Sequence, residues 1–310
     1  MRLPYAPAAV TMILLLVVAT GCRAAMPVEQ GEGLRVLAVE SFLADIAQNV
    51  AGDRLTVGSL IPLGVDPHGF EPTPADVVRV AQADVLIVNG AGLEVFLEAL
   101  LQNAGGQSQV IVASAGLTPR QPQEGEEVEG HHEHEEDPHF WLDPILVVRY
   151  VENIRDGLSQ ADPAGADVYA ANAADYIARL QELDAWIAAQ VAQVPAERRL
   201  LVTNHESLGY FADRYGFRVV GTLLESVSSG ASPSAQQMAE LVERIRASGA
   251  PAIFLETGAN PQLAEQIGRE TGVEVVTDLY THSLSAADGP APTYIEMMRH
   301  NTARIVEALR

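Results

Sequence analysis

From residue 34 onward the chain alternates short β-rich runs with stretches of helical period, and it does so twice, on either side of one long helical segment. Strands are expected at 34–39, 55–60, 85–89 and 110–113, with helices at 42–50, 73–82 and 94–103 between them. The helix at 73–82 has the clearest start, because Thr73, Pro74 and Asp76 supply a capping hydroxyl, a first-turn proline and an acidic residue at the third position. Strands separated by helical lengths pair in parallel through crossover helices. A helix is expected at 144–158 and a longer one at 164–194, where Leu180, Leu183, Ile187, Val191 and Val194 recur at three- and four-residue spacing. About 30 residues at 1.5 Å each span roughly 45 Å, the length of a lobe or more, so this helix can serve as a spine. The alternation then resumes, with strands at 200–203, 218–223, 252–255 and 273–277 and helices at 208–214, 234–246, 261–271 and 293–309. The expected fold is α/β: a lobe at 34–160, a connecting helix at 161–195 and a second lobe at 196–310, each lobe a parallel sheet flanked by helices. The halves share an architecture but no residue-level repeat.

In a chain of 310 residues, 48% hydrophobic and 19% charged content supports a true core. The net charge of -22 disfavours nucleic acid and anionic membrane surfaces as partners and favours a cationic ligand. Arg2 followed by the apolar run 8–18 and then Ala19-Thr20-Gly21-Cys22 reads as an export signal, too short for a comfortable membrane span. Cys22 is the sole cysteine, so an internal disulfide and a thiolate metal site are both excluded. Its placement resembles a bacterial lipobox, which implies a signal peptide at 1–21, a lipid-carrying Cys22 and a tether at 22–33.

The stretch 118–137 is too long and polar for an ordinary connection and holds His131, His132 and His134 among many carboxylates, a composition suited to weak metal capture. Asp137-Pro138-His139-Phe140-Trp141-Leu142-Asp143-Pro144 follows, with His139 held between prolines and aromatics. Open α/β sheets bind ligands beyond the carboxyl ends of their strands. Four residues able to bind metal lie at such places: His68 in Asp66-Pro67-His68, His139, His205 in Asn204-His205-Glu206, and Asp278 in Thr277-Asp278-Leu279. Each alone reads as a cap or packing residue; together, two from each half, they make a candidate metal site in the cleft. His300 reads as a helix-surface residue. His282 reads as an exposed loop residue, kept as a minor ligand candidate because it lies near Asp278.

Asp66-Pro67-His68 with Glu71-Pro72-Thr73-Pro74-Ala75-Asp76, the segment around His139, Asn204-His205 leading to Gly209-Tyr210-Phe211, and Tyr294-Ile295-Glu296-Met297-Met298 resemble the metal-binding solute receptors of zinc and manganese ABC importers. The resemblance implies two α/β lobes, a long connecting helix and one metal ion in the cleft, held by His68, His139, His205 and Asp278. It also implies a membrane permease as partner, a monomeric lipid-anchored receptor outside the cytoplasm, and a loop of the histidine-rich kind found in zinc members. In manganese receptors of this type the position matching His205 is commonly glutamate. Three imidazoles with one carboxylate suit zinc, with manganese the alternative cargo. Because the ligands must lose their protons, affinity is expected to fall steeply below about pH 6.5, the unperturbed histidine value. Two other readings are weighed. A zinc hydrolase would use Glu206 or Glu256 as general base, but no His-Glu-x-x-His, nucleophile elbow or phosphate loop is present. A surface adhesin finds no support in residues that would recognise a macromolecule.

Overall fold

Runs such as Val85–Val88, Val-Leu-Ile-Val, are apolar on both faces, which suits a strand covered by helices on each side. In the computed structural model, which describes residues 33–121, 137–224 and 234–310, these runs form two four-stranded parallel sheets. Cys22 with its signal, and the acidic run holding His131, His132 and His134, lie outside the described residues. The first lobe contains β1 (Val36–Ala38), α1 (Ser41–Ala51), β2 (Val57–Ser59), α2 (Pro74–Gln82), β3 (Val85–Val88), α3 (Leu97–Ala104) and β4 (Gln109–Val112), with sheet order β2-β1-β3-β4. Next come α4 (Val147–Ala161) and the 26-residue α5 (Ala166–Val191). The second lobe follows as β5 (Leu200–Thr203), α6 (Gly209–Tyr215), β6 (Arg218–Thr222), α7 (Ala235–Ser248), β7 (Ala252–Glu256), α8 (Gln262–Thr271), β8 (Glu274–Leu279) and α9 (Tyr294–Leu309). Its order, β6-β5-β7-β8, repeats that of the first lobe.

Local chemistry accounts for several element ends. Thr73 and Asp76 form a reciprocal capping box at α2. Helix α3 begins at Leu97, three residues later than the pattern suggests, because Glu94 turns back to accept hydrogen bonds from the amides of Asn89 and Gly90. Strand β8 runs on to Leu279, past the expected end at 277. Its pairing with β7 passes from Phe254↔Val276 to Glu256↔Leu279, so one extra residue is accommodated on β8 as a bulge.

Helix α5 buries Tyr169, Ala173, Tyr176, Leu180, Leu183, Ile187 and Val191 along one stripe. At 1.5 Å per residue it is about 39 Å long. One core cluster extends from Val36, Phe42 and Trp141 of the first lobe through Leu180 and Ile187 of α5 to Leu201, Phe254 and Met298 of the second. Separate apolar layers cover the outer sheet faces, around Leu37 and Leu86 in one lobe and Val202 and Ile253 in the other. The lobes therefore share their inner core, and residues 34–310 form one compact unit. Among the described residues no helix is long and apolar enough to cross a membrane.

Candidate metal centre

Four histidines converge where loops beyond the carboxyl ends of the strands meet. His68 sits in a single 3-10 turn (Pro67–Gly69), whose preceding Asp66 carboxylate accepts the His68 backbone N–H at 2.9 Å. Asp137-Pro138-His139 repeats the device, with the Asp137 carboxylate accepting the His139 amide at 3.0 Å, and a second 3-10 turn (Phe140–Leu142) follows. An aspartate two residues ahead of a histidine, with proline between, thus fixes both first-lobe imidazoles locally. His205 follows β5 by two residues and His282 follows β8 by three. One ring nitrogen from each of the four histidines lies within 4.8 Å of the other three.

The Nε2 atoms face inward. His68 and His139 bring theirs to 3.2 Å of one another, and His139 and His282 to 3.1 Å. A tetrahedral zinc site with bonds of 2.0–2.1 Å requires nitrogen separations of roughly 3.3 Å, so these spacings fit a common cation between the rings. His205 Nε2 is buried with no hydrogen-bond partner among the described residues, as expected of a nitrogen whose natural partner is a ligand.

Carboxylates occupy the opposite ring nitrogens. Asp137 accepts from His139 Nδ1 at 2.8 Å. Glu256, at the end of β7, accepts from His282 Nδ1 at 2.7 Å and from Asn204 Nδ2 at 2.9 Å, and it also receives the Thr281 hydroxyl. His205 Nδ1 lies 2.9 Å from the same carboxylate, in ion-pair range. One glutamate therefore orients two imidazoles from different loops and places negative charge one ring away from the centre. Trp141 stacks on Phe42 at 4.5 Å, lies 5.1 Å from the His139 ring, and donates its indole N–H to Thr281 O at 2.7 Å, closing an apolar wall that also ties the lobes.

The electrostatics keep lone pairs available. Burial, together with the neighbouring His282 and His205, pushes the His68 imidazole down to about 2. Burial and the same crowding hold His139 well below the histidine range. For His205, burial alone would lower the imidazole, but the Glu256 carboxylate outweighs it and holds the value up. Glu256 is correspondingly held well below the carboxylate range, because His205 and His282 outweigh its burial. Burial pushes the Asp137 carboxyl up to about 7 against the opposing pull of the His139 amide and Arg120.

The structure brings together His68, His139 and His205 but not Asp278. That aspartate lies in β8 and pairs with Arg304 of α9 at 2.9 Å, with His300 Nε2 3.7 Å away. The fourth converging side chain, where Asp278 was expected, is His282, which is 6% exposed and not the solvent-facing loop residue its polar surroundings suggested. The reason is the strand end: β8 continues through Leu279 over a bulge, so position 278 is still inside the strand and the loop that reaches the cleft starts later. Sequence reading also missed Glu256 and Asp137 as partners of the ring Nδ1 atoms. For Asp137 the repeated Asp-Pro-His was the available signal; for Glu256 there was none. Glu206 and Glu256, the general bases of the hydrolase reading, face Arg120 and the His205 and His282 rings respectively.

A cluster of imidazoles between two α/β lobes on a long helix has close relatives. The family described as zinc-uptake complex component A, periplasmic, matches residues 36–308. The chain belongs to this family. Its members are metal-binding substrate receptors of ABC importers, transport proteins and not enzymes. The chain is 36% identical over 301 residues to the manganese-binding lipoprotein MntA of Halalkalibacterium halodurans, covering 96% of each. It is 34% identical over 272 residues to the iron-binding protein YfeA of Yersinia pestis, covering 88% of this chain and 85% of that one. The periplasmic zinc-binding protein TroA of Treponema pallidum superposes with a TM-score of 0.78 at 29% identity, over 88% of this chain and 98% of that structure. These names span manganese, iron and zinc. Family membership therefore establishes a receptor for a metal ion and leaves the choice of metal to the ligand set.

Proposed function

We propose that this receptor captures Zn(II) through His68, His139, His205 and His282 and delivers it to a membrane permease. The observation that carries this reading is a four-nitrogen cluster with no carboxylate among the converging groups of the described residues, the nearby described carboxylates being engaged on the far side of the rings. Imidazole suits zinc, whereas manganese favours oxygen-rich sites of higher coordination number. Manganese, the metal in the name of the MntA relative, is the competing cargo. Neutral His68 and His139 offer lone pairs without first losing protons, and the charge of the cation is balanced by Glu256 and Asp137.

Two further parts of the reading concern residues outside those described. Cys22 carries the lipid that holds the receptor at the outer face of the membrane, a reading supported by the lipobox-like sequence and by the lipoprotein relatives. His131, His132 and His134 gather scarce metal for the cleft. Competitive titration of Zn(II) and Mn(II) into metal-stripped protein, with and without residues 125–136, tests the whole. One tight site that prefers zinc and survives loop deletion is expected; a preference for manganese overturns the choice of cargo, and loss of tight binding with the loop moves the site away from the cleft.

A further inference from the structure

Arg120 is an enclosed cation beside the candidate metal centre. Its side chain is 4% exposed in a chain whose net charge is -22, and among the described residues the carboxylates of Asp137, Glu206 and Asp213 lie against it. The guanidinium forks onto Asp213 of α6, with Nε donating at 2.9 Å and Nη2 at 3.2 Å. Nη1 reaches Glu206, the residue after His205, at 3.4 Å and stands 4.0 Å from Asp137 Oδ2. That oxygen has no hydrogen-bond partner among the described residues, while the other oxygen of the same carboxylate receives both N–H groups of His139. The backbone completes the join: Arg120 N donates to Tyr210 Oη at 3.1 Å, and the Tyr210 hydroxyl donates to Asp137 O at 2.7 Å.

The space for this arrangement is built into α6. A Cβ at Gly209, the first residue of the helix, would lie 2.4 Å from Arg120 Nη1 and 2.7 Å from its Cζ. A side chain here would push the guanidinium off its carboxylates.

We infer that Arg120 is a positioning residue for metal binding, a clamp that holds the His139 side of the centre in the first lobe against the His205 side in the second. Arg120 leaves the first lobe after β4 and grips α6 of the second, and its charge stabilises the Asp137 carboxylate that orients His139. Opening the cleft to release metal then requires breaking a bidentate ion pair whose guanidinium is enclosed and whose Asp213 carboxylate is part-exposed, so the clamp slows release more than it alters capture. Outer partners of metal-ligating histidines typically contribute 10–100-fold to affinity. This inference rests on the cleft histidines being the metal site.

The test uses the full chain loaded with Zn(II), with stopped-flow release into a chelator, and Co(II) loading with its visible absorption spectrum. Arg120→Gln and Asp213→Asn are each expected to speed zinc release at least tenfold and shift the Co(II) bands, with the double variant no faster than Arg120→Gln alone. Gly209→Ala, which keeps every charge but displaces the guanidinium, is expected to act in the same direction and carries the test if Arg120→Gln does not fold. Arg35→Gln, which breaks the exposed pair with Asp84, is the control and is expected to leave both readouts unchanged. Variants that lose thermal stability yet release zinc at the wild-type rate with an unaltered Co(II) spectrum overturn the inference and leave the metal site standing. A wild-type chain that binds no zinc overturns both.

Discussion

The sharpest consequence of the centre is the contrast between two residues four positions apart, His282 and Asp278. His282 is 6% exposed, with its Nε2 3.1 Å from that of His139, whereas the Asp278 side chain is 44% exposed and faces Arg304. A four-ligand zinc site is worth about 10–16 kcal/mol at neutral pH, so an equal share for one ligand is roughly 2.5–4 kcal/mol. At about 1.4 kcal/mol per tenfold, His282→Ala should weaken zinc binding by about two to three orders of magnitude. Asp278→Asn removes an ion pair in partly solvated surroundings, worth about 0–1 kcal/mol, and that energy belongs to folding and not to metal binding. Its zinc affinity should stay within about twofold of wild type. Both affinities are read by competition with a chromophoric chelator on metal-stripped protein. Undiminished binding in His282→Ala, or a large loss in Asp278→Asn, would show that the fourth ligand is misassigned.

The other predictions concern charge. Because the Glu256 carboxylate holds His205 above the ordinary histidine value while burial holds His68 and His139 below it, protons released on zinc binding near neutral pH should come from His205 more than from His68 or His139, with a further one appearing below about pH 7 as Asp137 protonates. Affinity thus rises with pH through neutrality; calorimetry in buffers of different ionisation enthalpy counts the protons, and a count that Glu256→Gln leaves unchanged refutes the scheme. Glu256→Gln keeps the shape but loses the charge shared by His205 and His282, and should lower zinc affinity about 10–100-fold with the fold intact by circular dichroism. Unchanged affinity would mean that the carboxylate does not serve those rings. Glu40, 1% exposed against Glu94, is held well above the carboxylate range by burial and by that neighbour. Its proton is bound more tightly in the folded state, so the stability it contributes is complete below the unfolded value of about 4.3 and is lost as pH rises toward the folded value. Glu40→Gln should therefore be more stable than wild type at pH 7 and about equal at pH 4; an advantage that does not grow between those pH values in urea titrations is the contrary result.

What the sequence determined by itself was whatever depends on neighbours along the chain. The β/α alternation, the capping box of Thr73 and Asp76, the α5 stripe of Leu180, Leu183, Ile187 and Val191, and the Asp-Pro-His turns that present His68 and His139 are all set within a few residues, where period and side-chain reach are readable. Even the convergence of His68, His139 and His205 could be anticipated, because strand ends in parallel sheets share one edge. The tertiary structure alone decided which residue of the 278–282 stretch enters the cleft. One bulge against β7 carries β8 past Asp278, and a strand's end depends on its partner's register and not on its own composition. The same holds for Glu256 and Arg120. Both are polar residues in ordinary local surroundings, and they gain their roles only when β7, the loops after β5 and β8, and α6 enclose them, since burial converts a solvated charge into one that must be paired.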